Sequence, residues 1–225
     1  MDPAPHVLTV AELTDQPVDW PVLASEELAG GAVTTYVQDS VLGPDEHTMQ
    51  RQYLRHPGAV GVIALDDQER VVLVRQYRHP VRHKLVEPPA GLLDVDGEDY
   101  LVGAQRELAE EVGLAASQWH VLVDFFTSPG MVTESLRIYL ARDLSPVPAP
   151  EGFVRHGEEA DMDTVWAPLS DVVDALLAGR LHNPVLTAGA LAAWAARQRG
   201  YAGLRPADAP WPARDASLHP SASGA

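Results

Sequence analysis

Three glutamates, Glu107, Glu110 and Glu111, lie within five consecutive positions of the sequence. On a helix, Glu107 and Glu111 stack one turn apart on the same face, with Glu110 beside them. Like charges at this spacing destabilise a helix, and more strongly when they are partly buried. A solvated acidic face is the ordinary explanation of such a run. A divalent-cation site is the functional alternative, because carboxylate oxygens suit Mg²⁺ or Mn²⁺ better than zinc.

The residues around the glutamates favour the cation site. Pro88, Pro89 and Gly91 predict an irregular turn just before the helix, where a backbone carbonyl could join the carboxylates as an oxygen ligand. Arg106 lies next to Glu107 in the sequence, where its guanidinium could pair with an acid and fix its orientation.

A helix from about Asp99 to Val112 would carry the glutamates. Its apolar residues recur at spacings of three and four, which predicts a narrow buried stripe beside the acidic face: Leu101, Ala104, Leu108 and Val112. Gly113 is well placed to cap the C-terminus of this helix. The helix would therefore dock with its carboxylates at the edge of a buried surface.

Strand and helix patterns surround this segment. Residues 58–78 form the clearest β-hairpin pattern, with two β-branched runs separated by a polar turn. Further strands are predicted at residues 32–41, 48–56, 118–126, 135–141 and 162–169, and further helices at 170–179 and 184–200, the last with Asn183 as N-cap. This order predicts an α/β fold with a mixed sheet flanked by helices.

We expect three regions in the chain. Residues 1–56 form an N-terminal segment with a small strand subdomain, and residues 57–204 form the main domain. Residues 205–225 are rich in Pro, Ala and Ser, and this composition predicts a disordered tail.

Composition limits the classes of function. The chain has 225 residues, 46% of them hydrophobic, and no cysteine, which excludes disulfides and thiolate sites. A formal net charge of −16 argues against nucleic-acid binding. The N-terminus does not resemble a signal peptide, and no apolar run approaches the ~18 residues of a membrane span, so a cytoplasmic protein without membrane contact is expected.

Residues 91–114 resemble the signature of the Nudix hydrolases, G-x5-E-x7-R-E-U-x-E-E-x-G-U, in which U is aliphatic. The fixed positions are occupied by Gly91, Glu98, Arg106, Glu107, Leu108, Glu110, Glu111, Gly113 and Leu114. One departure is visible, because six residues rather than five separate Gly91 from Glu98. This insertion leaves the role of Glu98 open, whereas the register of the helix is intact.

The resemblance implies a Nudix-type α/β/α sandwich that hydrolyses a nucleoside diphosphate linked to another moiety. By the same resemblance, the metal ligands would be Glu107, Glu111, Glu110 and the carbonyl of Ala90 or Gly91. Divalent ions can neutralise and orient a pyrophosphate and activate the attacking water.

Shorter motifs resemble the ADP-ribose pyrophosphatase branch of this family. They include Pro129, fifteen positions after Leu114, and the segments before the signature that contain Arg78 and Glu87. The resemblance implies that Arg51, Arg78, Glu87 and Pro129 bind substrate, with Arg51 contributed by the partner in a homodimer that the N-terminal strands help to build. Without the resemblance, the arginines would be read as surface residues.

The residues assigned to catalysis are Glu159, Glu110 and Arg106. By the same resemblance, Glu159 would act as the base or position the water from a long loop, and Glu158 is its competitor because one sequence cannot separate adjacent acids. Glu134 could also approach the site, but no role is assigned to it. The histidines show no ligand spacing and are read as surface or packing residues.

The predicted activity is hydrolysis of ADP-ribose, a small-molecule substrate, to AMP and ribose 5-phosphate with Mg²⁺ or Mn²⁺. One alternative is the same chemistry on another nucleotide sugar or nucleoside diphosphate derivative. A second alternative is a ligand sensor that binds without cleaving. The intact Glu107, Glu110 and Glu111 argue against the sensor.

Overall fold

The computed structural model describes residues 7–95, 97–148, 157 and 161–218. The elements run in the order β1 (Val22–Gly30), β2 (Thr35–Leu42), β3 (Thr48–Arg55), β4 (Ala59–Ala64), β5 (Arg70–Arg78), β6 (His83–Glu87), β7 (Ala90–Leu92), α1 (Tyr100–Val112), β8 (Leu114–Phe126), β9 (Ser135–Pro146), β10 (Asp163–Pro168), α2 (Leu169–Leu177), α3 (Pro184–Arg197), β11 (Arg205–Pro206) and α4 (Pro212–Leu218). None of the helices in these described stretches is long and apolar enough to cross a membrane.

The strands form three sheets. Strands β1, β2 and β3 make a separate N-terminal sheet, and β10, β5 and β6 make a second. The third sheet has the order β11-β8-β9-β4-β7, in which β4 and β9 are parallel and the other pairs are antiparallel. The prediction of a mixed sheet with helices and a small N-terminal strand subdomain is confirmed.

Strand β4 separates the two halves of the core, because successive side chains of a strand point to opposite faces. Val60 and Val62 lie in one apolar cluster with Leu108 of α1. Ile63 lies in the other cluster with Leu186 of α3, to which α2 also contributes. Helix α1 therefore covers one face of the mixed sheet, and α2 and α3 lie on the other side.

Two glycines let α3 press closely against the sheet. A Cβ atom on Gly61 of β4 would lie 2.4 Å from the Cγ1 atom of Val185, at the start of the helix. A Cβ atom on Gly189 would lie 2.7 Å from the Cγ1 atom of Ile63. The beginning of α3 is thereby held directly over the middle of β4.

The predicted hairpin between residues 58 and 78 was wrong as a pairing. The polar turn exists, with Asp66 Oδ1 accepting hydrogen bonds from the backbone N–H groups of Gln68 and Arg70. Beyond the isolated bridge between Leu65 and Val71, however, β4 and β5 diverge into different sheets. Each strand is paired along both edges with other strands, β4 with β7 and β9, and β5 with β6 and β10.

The predicted disorder of residues 205–225 was wrong for residues 205–218, and the remainder lies outside the described residues. Strand β11 pairs with β8, and α4 follows it. Trp211 and Arg214 are 4% and 6% exposed. Arg137, which is also buried, donates to the carbonyl oxygens of Ala209 and Pro210 at 2.7 and 3.3 Å. These contacts anchor the segment, although its composition resembles that of a disordered tail.

Candidate active site

Helix α1 has the caps that its sequence predicts. The Oδ1 atom of Asp99 accepts a hydrogen bond of 2.8 Å from the N–H of Leu101, and Gly113 ends the helix in the left-handed conformation at φ 67°. Ala104 and Leu108 are fully buried against the sheet. The docked stripe therefore fixes the neighbouring glutamates at the edge of the core.

Arg106 lies among three of the acids. Its guanidinium donates to both carboxylate oxygens of Glu98 at 3.0 and 3.1 Å, to Glu107 at 2.6 Å and to Glu110 at 3.2 Å. The hydrogen bonds to Glu98, reinforced by the charge of Glu107, raise the pKa of Arg106 above its ordinary value. An internal cation therefore offsets the repulsion between the carboxylates, and Glu98 is part of the cluster despite the insertion before it.

Glu111 is bound on the other side of the acidic face. It is 6% exposed, and its Oε2 atom accepts a hydrogen bond of 3.0 Å from the backbone N–H of Ala90. A Cβ atom on the next residue, Gly91, would lie 2.1 Å from the Cδ and Oε1 atoms of Glu107. The predicted backbone ligand segment and the predicted carboxylate ligands are therefore in direct contact.

The acidic helix borders an open cleft of about 730 Å³. On another side of this cleft, Arg78 donates two hydrogen bonds to Glu87, at 3.0 and 2.7 Å. Glu87 is only 2% exposed. The cleft thus brings together predicted residues from β5, β6, β7 and α1, namely Arg78, Glu87, Ala90, Gly91, Arg106, Glu107 and Glu111.

The structure separates other predicted residues from this cleft. Arg51 of β3 is exposed and donates to the carbonyl oxygen of Gln50, and it does not line the cleft of its own chain. Pro129 is exposed in a turn and also does not line it. Glu158 and Glu159 lie outside the described residues.

Several cleft residues received no site role from the sequence, among them His56, Glu134 and Asn183. The Nδ1 atom of His56 accepts a hydrogen bond of 2.9 Å from the N–H of Gly58, and its Nε2 atom lies 3.6 Å from the Oε1 atom of Glu134. Thr127 donates to the Oε2 atom of Glu134 at 2.6 Å. Asn183 was predicted only as a helix cap. No local pattern places these residues together, because they come from distant segments.

The donor set around Gly91 fits a divalent cation in its chemistry. Glu107 and Glu111 supply carboxylate oxygens beside a strand whose carbonyls are hard oxygen donors. In the described part of the chain, no three acidic or histidine side chains converge as a ready metal cluster. Instead, the Arg106 guanidinium donates to the Oε1 atom of Glu107, so Arg106 and a bound cation would share this carboxylate.

A protein-family model matches the part of the chain that contains the cleft. The model described as NUDIX domain matches residues 55–188. This range contains α1, most of the cleft and the first turn of α3, and it omits β1 and β2.

The chain also resembles individual proteins over most of its length. The chain is 44% identical over 193 residues to an ADP-ribose pyrophosphatase of Mycobacterium tuberculosis (strain ATCC 25618 / H37Rv), covering 86% of this chain and 91% of that protein. It is 35% identical over 161 residues to a methanol dehydrogenase activator of Bacillus methanolicus, covering 72% and 85%. A solved structure described as an ADP compounds hydrolase superposes with a TM-score of 0.67 at 22% identity, covering 83% of this chain and 99% of the other, and so shares the fold.

Proposed function

This chain belongs to the Nudix domain family, and on that premise we propose that it hydrolyses ADP-ribose to AMP and ribose 5-phosphate. The observation that carries the proposal is the cleft, which joins the acidic helix α1 to the Arg78–Glu87 pair. The similarity to an ADP-ribose pyrophosphatase over most of both chains supports ADP-ribose as the substrate.

The reaction adds one water molecule across the pyrophosphate. A bond forms between the water oxygen and one phosphorus, the bond from that phosphorus to the bridging oxygen breaks, and the water proton passes to a base. The two products are AMP and ribose 5-phosphate. We propose Glu159 as the base, with Glu158 as the alternative.

We propose that Glu107, Glu110, Glu111 and the Ala90 carbonyl hold Mg²⁺ or Mn²⁺. When bound, such an ion would neutralise the pyrophosphate charge and lower the pKa of a coordinated water. Arg106 holds Glu98, Glu107 and Glu110 in place, and Ala90 N–H holds Glu111. The Arg78–Glu87 pair, with Arg51 and Pro129, is proposed to bind the rest of the substrate.

A homodimer built on the N-terminal sheet would complete the site. Strand β1 is exposed along its whole length and carries apolar residues such as Val22, Leu23 and Leu28. These residues support an interface between two copies, with Arg51 reaching the partner's cleft. Residues 1–56 would then be the dimerisation region and residues 57–204 the hydrolase domain, to which the anchored segment 205–218 adds β11 and α4, in a cytoplasmic enzyme.

Product analysis tests the proposed activity. ADP-ribose is incubated in ¹⁸O-labelled water with Mg²⁺, with Mn²⁺ or with a chelator, and the products are identified by mass spectrometry. We expect AMP and ribose 5-phosphate only when metal is present, with one ¹⁸O atom in one of the two phosphates. A panel of nucleotide sugars compared by kcat/KM tests the substrate, and a clear preference for another compound would contradict the proposal.

A further inference from the structure

Asn183 is the single asparagine in the chain, and it lies immediately before α3. Its Oδ1 atom accepts a hydrogen bond of 2.8 Å from the N–H of Leu186, as expected of a helix N-cap. The residue is 7% exposed, and it lines the cleft. Capping accounts for the oxygen of this amide but not for its nitrogen.

The capping bond fixes which way the amide points. Only the oxygen of an asparagine amide can accept from an N–H, so the NH₂ group lies on the opposite branch of the side chain. No described residue accepts a hydrogen bond from the Nδ2 atom. Among the described residues, the fully enclosed side-chain polar atoms without a partner are Asp39 Oδ1 and Arg214 Nε, and Asn183 Nδ2 is not one of them. Because Asn183 lines the cleft and its Nδ2 atom is neither bonded nor fully enclosed, its NH₂ group is available to a ligand bound there.

The first turn of α3 adds to this donor. Pro184 has no N–H, and within the described chain the N–H of Val185 has no acceptor. Both residues line the cleft. Free N–H groups at a helix N-terminus carry partial positive charge and favour an anionic oxygen.

The two donors, the Asn183 NH₂ group and the Val185 N–H, lie close to the acidic helix. Gly61, on which Val185 packs, is paired with Ala90 in the β4–β7 ladder. Ala90 in turn binds the Glu111 carboxylate. The start of α3 and the acids of α1 therefore approach the same short stretch of backbone from different sides.

We propose that the Asn183 NH₂ group, with the free end of α3, binds a phosphate oxygen of the nucleoside diphosphate substrate. This inference rests on the proposed function and adds a substrate contact from outside the acidic helix. Asn183 would make the cleft favour phosphorylated ligands without adding a cationic side chain next to the carboxylates.

The single asparagine makes this contact directly observable. Cell-free synthesis with ¹⁵N-asparagine gives a protein in which the only labelled side-chain NH₂ group is that of Asn183. The protein is titrated, with Mg²⁺ present, with an ADP-ribose analogue whose bridging oxygen is replaced by a methylene group, and with adenosine as the uncharged control. We expect the analogue to shift the NH₂ signals and adenosine to leave them unchanged.

Two substitutions separate the substrate contact from helix capping. Asn183→Asp and Asn183→Ser keep an oxygen that can cap α3 but remove the NH₂ donor. Calorimetry should show the Kd for the analogue weakened about tenfold or more in Asn183→Asp and severalfold in Asn183→Ser, with the Tm of both close to wild type. Asp99→Asn changes the N-cap residue of α1. Asp99 itself does not line the cleft, so this control should leave the Kd unchanged.

Unchanged NH₂ signals at saturation, or wild-type Kd values in both Asn183 variants, would overturn the inference while leaving the proposed function in place. If the wild-type protein does not bind the analogue, the proposed function itself fails, and the inference fails with it.

Discussion

A Cβ atom on Gly91 would lie 2.1 Å from the Cδ atom of Glu107, so β7 and α1 approach each other where there is no room for a side chain. Gly91 does not have a positive φ, so its backbone conformation is open to alanine. The collision would fall on the flexible end of Glu107. A methyl group at this position should therefore displace the carboxylate without unfolding the protein.

We accordingly expect Gly91→Ala to lower kcat/KM for ADP-ribose by about tenfold or more, because a small displacement of a catalytic group is costly. The Tm should change by no more than a few degrees. Gly30→Ala is the matched control, since a Cβ atom there meets nothing within 4 Å. Full activity in Gly91→Ala would argue against a role for Glu107 in the reaction.

Glu111→Gln should remove most of the turnover and leave the fold intact. A glutamine oxygen can still accept the hydrogen bond from Ala90 N–H, which holds Glu111 in the structure. The substitution removes the negative charge that a divalent ion requires. Steady-state kinetics with Mg²⁺ and a circular dichroism spectrum would be compared with wild type. Wild-type rates would exclude α1 as the metal site.

Arg106→Gln should make thermal stability depend more strongly on Mg²⁺. Without the guanidinium, Glu98, Glu107 and Glu110 lose their common partner, and we expect the Tm in chelator to fall by several degrees. Mg²⁺ should then raise the Tm of the variant more than that of wild type, because it no longer competes with Arg106.

Arg70→Gln is the control. It breaks a pair with Asp66 on the turn between β4 and β5 and should show no such metal effect. Equal Mg²⁺ shifts in wild type and Arg106→Gln would contradict this prediction.

Arg214→Met should destabilise the protein by about 2–4 kcal/mol, because it leaves two hydrogen-bond acceptors unsatisfied. Arg214 donates to the Oγ atom of Ser135 and to the carbonyl oxygen of Pro57, both at 2.6 Å. Urea denaturation followed by tryptophan fluorescence measures the free energy of unfolding. Arg180→Met, at an exposed arginine after α2, is the control, and equal free energies in the two variants would show that the C-terminal segment is not anchored through Arg214.

Local signals predicted the helix that carries the acids. The predicted range from Asp99 to Val112 differs from the observed helix only in that Asp99 is the N-cap residue. The capping residues, the apolar spacing and Gly113 all act within a few residues of one another, so a single sequence contains them. The same holds for α3, which begins at Pro184 with Asn183 as its cap.

Contacts between distant segments could not be predicted in this way. Glu134 approaches His56 because Leu136 of β9 pairs in parallel with Ala59 of β4, and no periodicity in either strand specifies that partner. The prediction of disorder for residues 205–218 was wrong for a related reason. Their order depends on Arg137 and on Pro57, which lie far away in the sequence.

The bond between Arg214 and Pro57 also bears on the order in which the protein is made. His56, Ala59, Glu134 and Leu136 border the cleft. Arg214 binds their neighbours Pro57 and Ser135, yet it is synthesised after α1, the sheets and α3. Protein domains begin to fold during synthesis from the N-terminal side. A nascent chain could thus possess its acidic helix and its core while one wall of the cleft still lacks the anchor that Arg214 provides.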